Sequence, residues 1–327
     1  MTKENREEMG QDEQREDQVL KSSESPKPEH NYRFSIGETI AGEFRVEGYL
    51  GHGGFSEVYR CQDIGLDQPV AVKVLFLDKI TDKTRVLAEA RMAAKLKKHS
   101  NIIPVTRVFK EEDETPYIAF DYVAGDTLEK RLKGAERHRL ELKESLPIVE
   151  QIADALDYAH QQGIIHRDVK PSNIILTEEG KKAFLTDFGL AEIKHPLKAD
   201  EERGEIAASV DYSGNIEAQQ RLSGTIPYMA PEQLKEGKLG DERSDLYSLA
   251  VVVYEMLTGR WPHESRRTSD FSLPAEIIHQ PPYPPTDARP DLPVDVGKVL
   301  LRALDKEPTK RYGTCTEFAR ELTKAAS

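Results

Sequence analysis

Cysteine is scarce in this sequence, which has 2 among its 327 residues, Cys61 and Cys315. Two thiols so far apart exclude a disulfide-stapled scaffold and a zinc site of four cysteines, and they favour a reducing compartment. Long apolar runs are also missing, since the longest, at about residues 249–253, falls far short of the ~20 residues that span a bilayer. The charged N-terminus lacks the apolar segment of a signal peptide. These absences predict a soluble, cytoplasmic protein without a membrane partner.

Positive charge is in deficit. The chain has 46 Lys and Arg against 58 Asp and Glu, a formal net charge of −12, which argues against a nucleic-acid partner. Part of the excess acid lies in residues 1–31, which contain nine acidic and five basic residues and almost no apolar ones. Such a segment cannot bury enough surface to offset its chain entropy. We therefore predict a disordered acidic tail over residues 1–31.

Strand patterns prevail between residues 32 and 123. Val70–Leu75, for example, is a β-branched run with a period of two. One helix, predicted at Thr84–Leu96, interrupts the strands. This part of the chain therefore reads as a small β-rich lobe.

Helical spacing prevails from residue 124 to residue 327. Leu142–His160 places its apolar residues on one helix face, whereas Ser244–Thr258 is apolar on nearly every face. A helix of the second kind lies buried inside a lobe. A small β-rich lobe followed by a larger α-helical one is an α+β fold.

A glycine cluster, Gly51-His52-Gly53-Gly54, lies between two predicted strands. Glycines let backbone N–H groups approach an anionic ligand closely, so phosphate binding is one interpretation. An ordinary hairpin turn is the other. A Walker loop does not fit because no Lys-Ser or Lys-Thr pair follows at the required offset, and a dinucleotide fingerprint would need a helix next.

Lys73 and Glu89 are charged residues on otherwise apolar faces. Lys73 shares a strand face with Ala71 and Leu75, and if it is buried it needs an anionic partner; a solvated lysine on an edge strand is the alternative. Glu89 lies on the apolar face of the predicted helix. Its partner is either Arg85, in a local surface pair, or Lys73, in an ion pair across the lobe.

Two loops collect residues suited to phosphate chemistry. In the first, His166–Asn173, Asp168 can accept a proton from a hydroxyl and Lys170 can neutralise a phosphoryl oxygen. Asn173 offers an oxygen to a hard cation, and Asp187, which enters a turn after a strand, suits a Mg²⁺ ligand. Each is an ordinary loop residue when taken singly, whereas the ordered set is specific.

A long polar stretch separates Asp187 from Glu232, and no helical or strand period runs through its residues 192–222. A loop of this length in a compact domain is usually functional or disordered. Its last part, Gly224–Glu232, precedes the apolar helix. Glu232 and Arg311 could form an internal ion pair that is structural rather than catalytic.

In this order and with these gaps, the motifs resemble those of a Hanks-type (eukaryotic-like) serine/threonine protein kinase of the bacterial branch. The resemblance covers roughly residues 44–322. It implies a bilobed protein-kinase fold with a small β-rich N-lobe (residues 32–123), a larger α-helical C-lobe (residues 124–327) and a long activation segment (residues 187–232). The sequence departs from the family pattern at Ser56, which takes the place of the third glycine, and in the length of the activation segment.

The resemblance also implies an ATP-dependent phosphotransferase. Asp168 would be the catalytic base, assisted by Lys170 and Lys73. Asn173 and Asp187 would hold Mg²⁺, with Mn²⁺ as an alternative. The residues that would bind the nucleotide are Leu50, Gly51, His52, Gly53, Gly54, Val58, Ala71, Lys73, Glu89, Asp121, Val123 and Ile175.

The implied substrates are proteins, the chain itself included, that are phosphorylated on serine or threonine in signalling. Lys170 and the Gly224–Glu232 segment resemble serine/threonine kinases rather than tyrosine kinases. Arg167, beside Asp168, implies a basic pocket for an activation-loop phosphate. The candidate sites for that phosphate are Ser209, Ser213 and Ser223, whereas Thr225 is expected to contact the substrate hydroxyl or Asp168.

Two rival interpretations stay open. A pseudokinase scaffold would bind partners without transferring phosphate, although no residue of the transfer set is replaced. A small-molecule kinase of similar fold usually has a different residue at Arg167.

Relatives often dimerise through the small lobe, so a homodimer is a further alternative. Many bacterial relatives carry a transmembrane helix and a sensor after the kinase domain; this sequence ends at Ser327 with neither, which predicts a stand-alone or a cut kinase domain.

Overall fold

The structure is a computed structural model. It describes residues 32–53, 56–76, 90–96, 98–110, 115–177, 180–188, 224–235, 240–264 and 272–327. The predicted acidic tail, Gly54 and Glu89 lie outside these ranges, as do the candidate phosphorylation sites Ser209, Ser213 and Ser223. Within the ranges, no helix is both long and apolar enough to cross a membrane.

A 6-stranded sheet, with antiparallel neighbours in the order β1-β2-β3-β4-β6-β5, forms the N-terminal part of the fold. The predicted strand pattern at residues 70–75 is confirmed. Residues 90–93 are helical and Ala94–Leu96 form a 3-10 turn, as predicted for the end of that helix. The strands are β1 (Thr39–Ile40), β2 (Phe44–His52), β3 (Ser56–Asp63), β4 (Gln68–Leu75), β5 (Val105–Lys110) and β6 (Pro116–Asp121).

The two faces of this sheet follow from alternation along β4. Val70, Val72 and Val74 belong to an apolar cluster on the outer face. Leu75 belongs to the main core, and Ala71 packs against that core. Because successive side chains of a strand point to opposite faces, Lys73 shares the inner face with Ala71 and Leu75, as the sequence predicted.

Residues 32–40, which we call the N-terminal cover, pack on the outer face of the sheet. The ring of Tyr32 stacks on Tyr49 with their centroids 4.2 Å apart, and Phe34 meets Tyr59 edge to face at 5.8 Å. Tyr59 is fully buried beneath them. Offset-stacked and edge-to-face aromatic pairs add roughly 0.5–1.5 kcal/mol each beyond the area that they bury. The cover therefore stabilises the outer face of the sheet.

The C-terminal part of the fold is mainly helical. Both helices predicted there, at Leu142–His160 and Ser244–Thr258, are confirmed. Within the described residues of this part, the α-helices are α1 (Leu128–Gly134), α2 (Leu142–Gln161), α3 (Pro231–Lys235), α4 (Glu242–Thr258), α5 (Leu273–His279), α6 (Pro285–Ala288), α7 (Val294–Ala303) and α8 (Cys315–Ala325).

Helix α4 lies at the centre of the helical lobe and is buried along nearly its whole length. The carboxylate of Asp241 caps its start by accepting the backbone N–H groups of Arg243 and Ser244. Gly259 ends it in the left-handed conformation, with φ of 72°. A Cβ at Gly259 would also lie 2.3 Å from the carbonyl oxygen of Arg137, so the close approach of that loop requires glycine here.

A small 3-stranded sheet, β7 (Gly125–Thr127), β8 (Ile174–Thr177) and β9 (Ala183–Leu185), lies between the two parts. A 3-10 turn, Pro171–Asn173, comes directly before β8, and Asp187 follows closely after β9. The backbone N–H of Thr186 donates to the carbonyl oxygen of Asn173 at 3.0 Å. The hairpin thus brings the two predicted functional loops to one end of the small sheet.

Candidate active site

The loop that follows α2 is held from below by one buried carboxylate. Asp245, on α4, is fully buried. Its Oδ2 accepts the backbone N–H of His166 at 2.8 Å, and its Oδ1 accepts that of Arg167 at 2.7 Å. The Nε2 of His160 lies 2.8 Å from the same Oδ2. Hydrogen bonds to a charged, buried acceptor are strong, so Asp245 fixes the backbone on which Asp168 sits.

His166 connects the two loops. Its Nε2 donates to the carbonyl oxygen of Thr186 at 2.8 Å, and its Nδ1 accepts the N–H of Asp168 at 3.2 Å. Burial lowers the pKa of His166 below its usual value. The ring is therefore neutral at pH 7, which this pattern of one donor and one acceptor requires.

Asp168 lies between an amide and a cation. The Nδ2 of Asn173 donates to the Oδ2 of Asp168 at 3.0 Å and to its backbone oxygen at 2.7 Å. The Nζ of Lys170 is 2.9 Å from the Oδ1 of Asp168 and donates to the Oγ1 of Thr225 at 2.8 Å. Lys170 therefore ties the loop of Asp168 to the segment after the long polar stretch. The hydroxyl of Thr225 contacts Lys170, so the expected contact with Asp168 is indirect.

An ion pair joins the β-rich part to the helical part. The Nζ of Lys73, on β4, lies 2.6 Å from the Oδ2 of Asp187, and the lysine side chain is 5% exposed. The sequence predicted that a buried Lys73 needs an anionic partner, and Asp187 is such a partner. The alternative of a solvated lysine on an edge strand is wrong, because β4 pairs with β3 on one side and β6 on the other. The proposed Lys73–Glu89 pair lies outside the described residues.

Two site residues have backbone conformations that side chains rarely adopt. Arg167 has φ of 65° and Asp187 has φ of 68°. Such conformations cost of order 1–3 kcal/mol and persist where the surroundings impose them, often at functional sites. The hydrogen bond from the N–H of Arg167 to Asp245 helps to hold the backbone of Arg167 in this conformation. The ion pair with Lys73 does the same for Asp187.

The described glycine-cluster residues, Gly51, His52 and Gly53, form the end of the β2–β3 hairpin. Gly51 pairs with Val58, and the N–H of Gly53 donates to the carbonyl oxygen of Ser56 at 2.8 Å. A Cβ at Gly51 would meet no described atom within 4 Å. Packing within the described residues therefore does not require glycine there, and the open space is compatible with a ligand close to the backbone.

The residues expected around an adenine ring are mainly partly buried apolar side chains. Ala71, Val123 and Ile175 pack against the main core while each keeps part of its surface exposed, and Val58 is also half-buried. Leu50 is more exposed, as is Asp121, whose N–H donates to the carbonyl oxygen of Pro104 at 3.2 Å. An apolar, partly solvated lining suits a flat heteroaromatic ring, and the role of these residues stays a prediction.

Asn173 and Asp187 carry oxygens that suit a hard cation. Because the Nδ2 of Asn173 donates to Asp168, the amide Oδ1 is the side-chain atom that could bind a cation. Asp187 contributes a carboxylate from the neighbouring loop, next to Thr186, which bonds to the backbone of Asn173. Carboxylate and amide oxygens are the ligands that Mg²⁺ prefers, so the residues fit such an ion.

The predicted ion pair between Glu232 and Arg311 is confirmed. The Nη1 and Nη2 of Arg311 donate to the Oε1 and Oε2 of Glu232, each at 2.8 Å. The arginine side chain is fully buried and that of Glu232 is 15% exposed. The pair fixes α3 to the segment before α8 and has a structural position.

The role of Asp245 and the Lys170–Thr225 contact were not predicted from the sequence. Asp245 had a readable signal, because it is an acidic residue directly before the apolar stretch of a helix that is buried along nearly its whole length. A carboxylate in that position needs several donors. The contact between Lys170 and Thr225 joins residues 55 positions apart and left no local signal.

The buried Lys73 and the loop residues Asp168, Asn173 and Asp187 come together between a β-rich and a helical part, the arrangement expected of a phosphotransferase. Residues 44–323 match the family model described as the protein kinase domain. The curated relatives include serine/threonine-protein kinase pkn3 of Myxococcus xanthus, 35% identical over 295 residues that cover 88% of this chain and 50% of the relative. Serine/threonine-protein kinase PrkC of Bacillus subtilis (strain 168) is 34% identical over 295 residues, which cover 89% of this chain and 41% of the relative.

Solved structures agree with these relatives. The crystal structure of the Mycobacterium tuberculosis PknI kinase domain is 30% identical with a TM-score of 0.65, and the match covers 90% of this chain and 100% of that chain. The chain belongs to the protein kinase family, in the bacterial Hanks-type serine/threonine branch. The predicted bilobed α+β kinase fold is thereby confirmed, and the family is that of the predicted enzyme class, the serine/threonine protein kinases. The chain spans half or less of the length of the two curated relatives named.

Proposed function

We propose that this chain transfers the γ-phosphoryl group of ATP to serine and threonine hydroxyls of proteins, itself included. The observation that supports this best is the placement of Asp168, whose carboxylate lies between the amide of Asn173 and the ammonium of Lys170. A carboxylate held in this way can orient an incoming hydroxyl and accept its proton. The neighbouring cation suits the charge of a phosphoryl group.

The proposed roles follow from the chemistry of phosphoryl transfer. Negative charge on the transferred group spreads over its oxygens, so catalysis is mainly positioning and electrostatic stabilisation. Asp168 positions the hydroxyl, Lys170 offsets charge on the transferred group, and Lys73 binds the α- and β-phosphates. Mg²⁺, with Mn²⁺ as the alternative, would be held by Asn173 and Asp187 and supplies positive charge to the phosphate oxygens.

The remaining predictions concern substrate, place and assembly. The contact between Lys170 and Thr225 supports serine/threonine specificity, since Thr225 lies next to the proposed base.

We propose a cytoplasmic location, which fits Cys61 and Cys315 as free, buried thiols. A homodimer stays a prediction that light scattering tests, and mass spectrometry of the active chain tests phosphorylation at Ser209, Ser213 and Ser223.

The function is tested with Asp168→Asn and Lys73→Met. Asp168→Asn should lower kcat for phosphate transfer to a basic test protein by at least ~10²-fold, while ATP with Mg²⁺ still raises its melting temperature. Lys73→Met should weaken both transfer and the effect of ATP. The matched controls are Asp295→Asn and Lys298→Met, which change an exposed pair on α7 and should leave both readouts unchanged.

Two outcomes would contradict the proposal. Wild-type transfer rates in both Asp168→Asn and Lys73→Met would remove the mechanism. A wild-type chain that ATP stabilises but that phosphorylates neither itself nor the test protein would favour the pseudokinase interpretation instead.

A further inference from the structure

A second group of chemically active side chains lies away from the proposed phosphate-transfer site, where helix α2 meets the start of α8. A cavity of about 560 Å³ opens there, and its lining includes Asp157, His160, Glu242, Cys315 and Thr316. None of these residues was assigned a role in nucleotide binding or phosphate transfer. The group is therefore a candidate for a separate function.

Three of the lining residues have the side chains of a metal site. A carboxylate oxygen of Asp157, a ring nitrogen of His160 and the sulfur of Cys315 all lie within 4.8 Å of one another. Among the described residues, this is the one group of at least three His, Cys, Asp or Glu side chains whose ligand atoms are close enough to hold a single metal ion. Asp157 and His160 lie on α2, one turn apart, and Cys315 begins α8.

The hydrogen bonds of His160 determine which of its ring nitrogens can bind a metal ion. The Nε2 of His160 lies 2.8 Å from the Oδ2 of Asp245, so we assign a proton to Nε2, which leaves Nδ1 as the ring nitrogen that a metal ion would bind. That Nδ1 lies 3.9 Å from the Oδ1 of Asp157. A carboxylate behind a histidine is the usual support of a metal-binding imidazole, because it fixes both the tautomer and the ring orientation.

Asp157 is oriented in the same way by the backbone of α8. Its Oδ1 accepts the N–H of Cys315 at 2.9 Å, and its Oδ2 accepts the N–H and hydroxyl of Thr316 at 2.9 and 2.6 Å. A carboxylate oxygen can accept two hydrogen bonds; Oδ1 has one from the backbone, and the thiol of Cys315 also hydrogen-bonds to Asp157. Loss of the thiol proton on metal binding ends that bond, so the carboxylate can then offer a lone pair to the ion.

We propose that Asp157, His160 and Cys315 form a binding site for a borderline-soft divalent metal ion of the Zn²⁺ class. One sulfur, one imidazole nitrogen and one carboxylate oxygen are zinc ligands, and a thiolate disfavours Mg²⁺. A tetrahedral shell places its ligand atoms roughly 3.5 Å apart, so the three side chains draw inward by about 1 Å. The open cavity admits a water molecule as the fourth ligand.

Binding changes the protonation of one group. Burial and the carboxylates of Asp157 and Asp245 hold the pKa of the Cys315 thiol well above its usual range, so without metal the group is a thiol. On coordination the sulfur forms its bond to the metal and the thiol proton leaves to water. Because the ligands come from both α2 and α8, the ion joins these two helices and stabilises the folded chain.

The test uses the full chain without a histidine tag, treated with chelator and free of nucleotide. Titration with Co²⁺ should give one equivalent of binding with a thiolate-to-cobalt absorption band, and Zn²⁺ should remove that band. Excess Zn²⁺ should raise the melting temperature on the order of a few degrees. Oxygen ligands at the nucleotide site give no thiolate band, so the signal separates the two sites.

The second cysteine supplies the matched control. Cys61 is fully buried in the outer cluster of the β-rich lobe, so Cys61→Ala should keep the band and the effect of Zn²⁺, whereas Cys315→Ala should lose both. A wild-type chain without a thiolate band, or a band that persists in Cys315→Ala, would overturn the proposal. The wild-type titration decides the question even if Cys315→Ala fails to fold.

Discussion

Removal of Arg311 should be one of the most damaging single changes in the helical lobe. Its guanidinium makes two parallel bonds to Glu232 and also donates to the backbone oxygens of Asp305 and Arg243, both at 2.8 Å. Arg311→Ala would leave Glu232 largely desolvated without a cation and two carbonyl groups without their donor. Breaking a buried pair in this way costs about 3–5 kcal/mol.

The comparison with an exposed pair makes the prediction specific. Lys298 and Asp295, on α7, are 71% and 70% exposed, with a distance of 2.7 Å between Nζ and Oδ1. Exposed pairs contribute about 0–1 kcal/mol, so Lys298→Ala should change the free energy of unfolding by no more than that. The N–O distances of the two pairs are similar, but Arg311 makes two bonds to its partner where Lys298 makes one, and only the Arg311 pair is buried.

Urea unfolding at pH 7, followed by fluorescence and circular dichroism together, measures both effects. Arg311→Lys keeps the charge but loses the two-pronged geometry, so its loss should fall between those of wild type and Arg311→Ala. The double variant Arg311→Met, Glu232→Leu should recover part of the loss, because no uncompensated charge stays buried. A cost below about 1 kcal/mol for Arg311→Ala would show that the pair does not stabilise the lobe as argued.

Three further changes test other parts of the structure. Asp245→Asn replaces an acceptor oxygen by an amide N–H₂, so the bonds to His160 and the His166 backbone cannot all persist; kcat should fall at least ~10-fold, which a kinase assay on folded protein measures. Tyr32→Ala removes a ring from the N-terminal cover and should lower the melting temperature. Burial and the positive charge of Arg311 lower the pKa of Lys306 from 10.5 to about 8. The folded chain therefore binds fewer protons than the unfolded chain between pH 8 and 10.5, so stability should rise with pH there in wild type relative to Lys306→Gln.

Each of these has an outcome that contradicts it. An unchanged kcat in Asp245→Asn would mean that the backbone around Asp168 does not depend on that carboxylate. A melting temperature unaffected by Tyr32→Ala would show that the cover adds no stability. Parallel curves of unfolding free energy against pH for wild type and Lys306→Gln would mean that the lysine titrates normally.

The lobes and the loops could be predicted because their signals are local. The period of two along β4 placed Lys73 on the inner face, and the apolar residues on nearly every face of Ser244–Thr258 indicated a buried helix. The contact of Lys73 with Asp187 had no such signal, because the two residues lie 114 positions apart in the chain; the pair with Glu89 that the sequence suggested lies outside the described residues. Ion pairs between distant segments depend on how elements pack, which periodicity does not describe.

The N-terminal cover was likewise only partly foreseen. The small lobe was predicted to begin at Tyr32, but nothing in residues 32–40 predicted that Tyr32 and Phe34 would pack on Tyr49 and Tyr59. Such contacts depend on the shape of a sheet surface. The proposed metal site of Asp157, His160 and Cys315 was not predicted from the sequence either, because Cys315 is far from the other two residues in the chain.

The cover has a practical consequence for anyone who expresses this kinase domain. The family match starts at residue 44, and a fragment designed from that boundary would begin with Phe44 and lack β1. Its sheet would present Tyr49 and Tyr59 to water, and an uncovered apolar surface of this kind promotes self-association. Where the family description begins and where the folded unit begins are different positions in this chain.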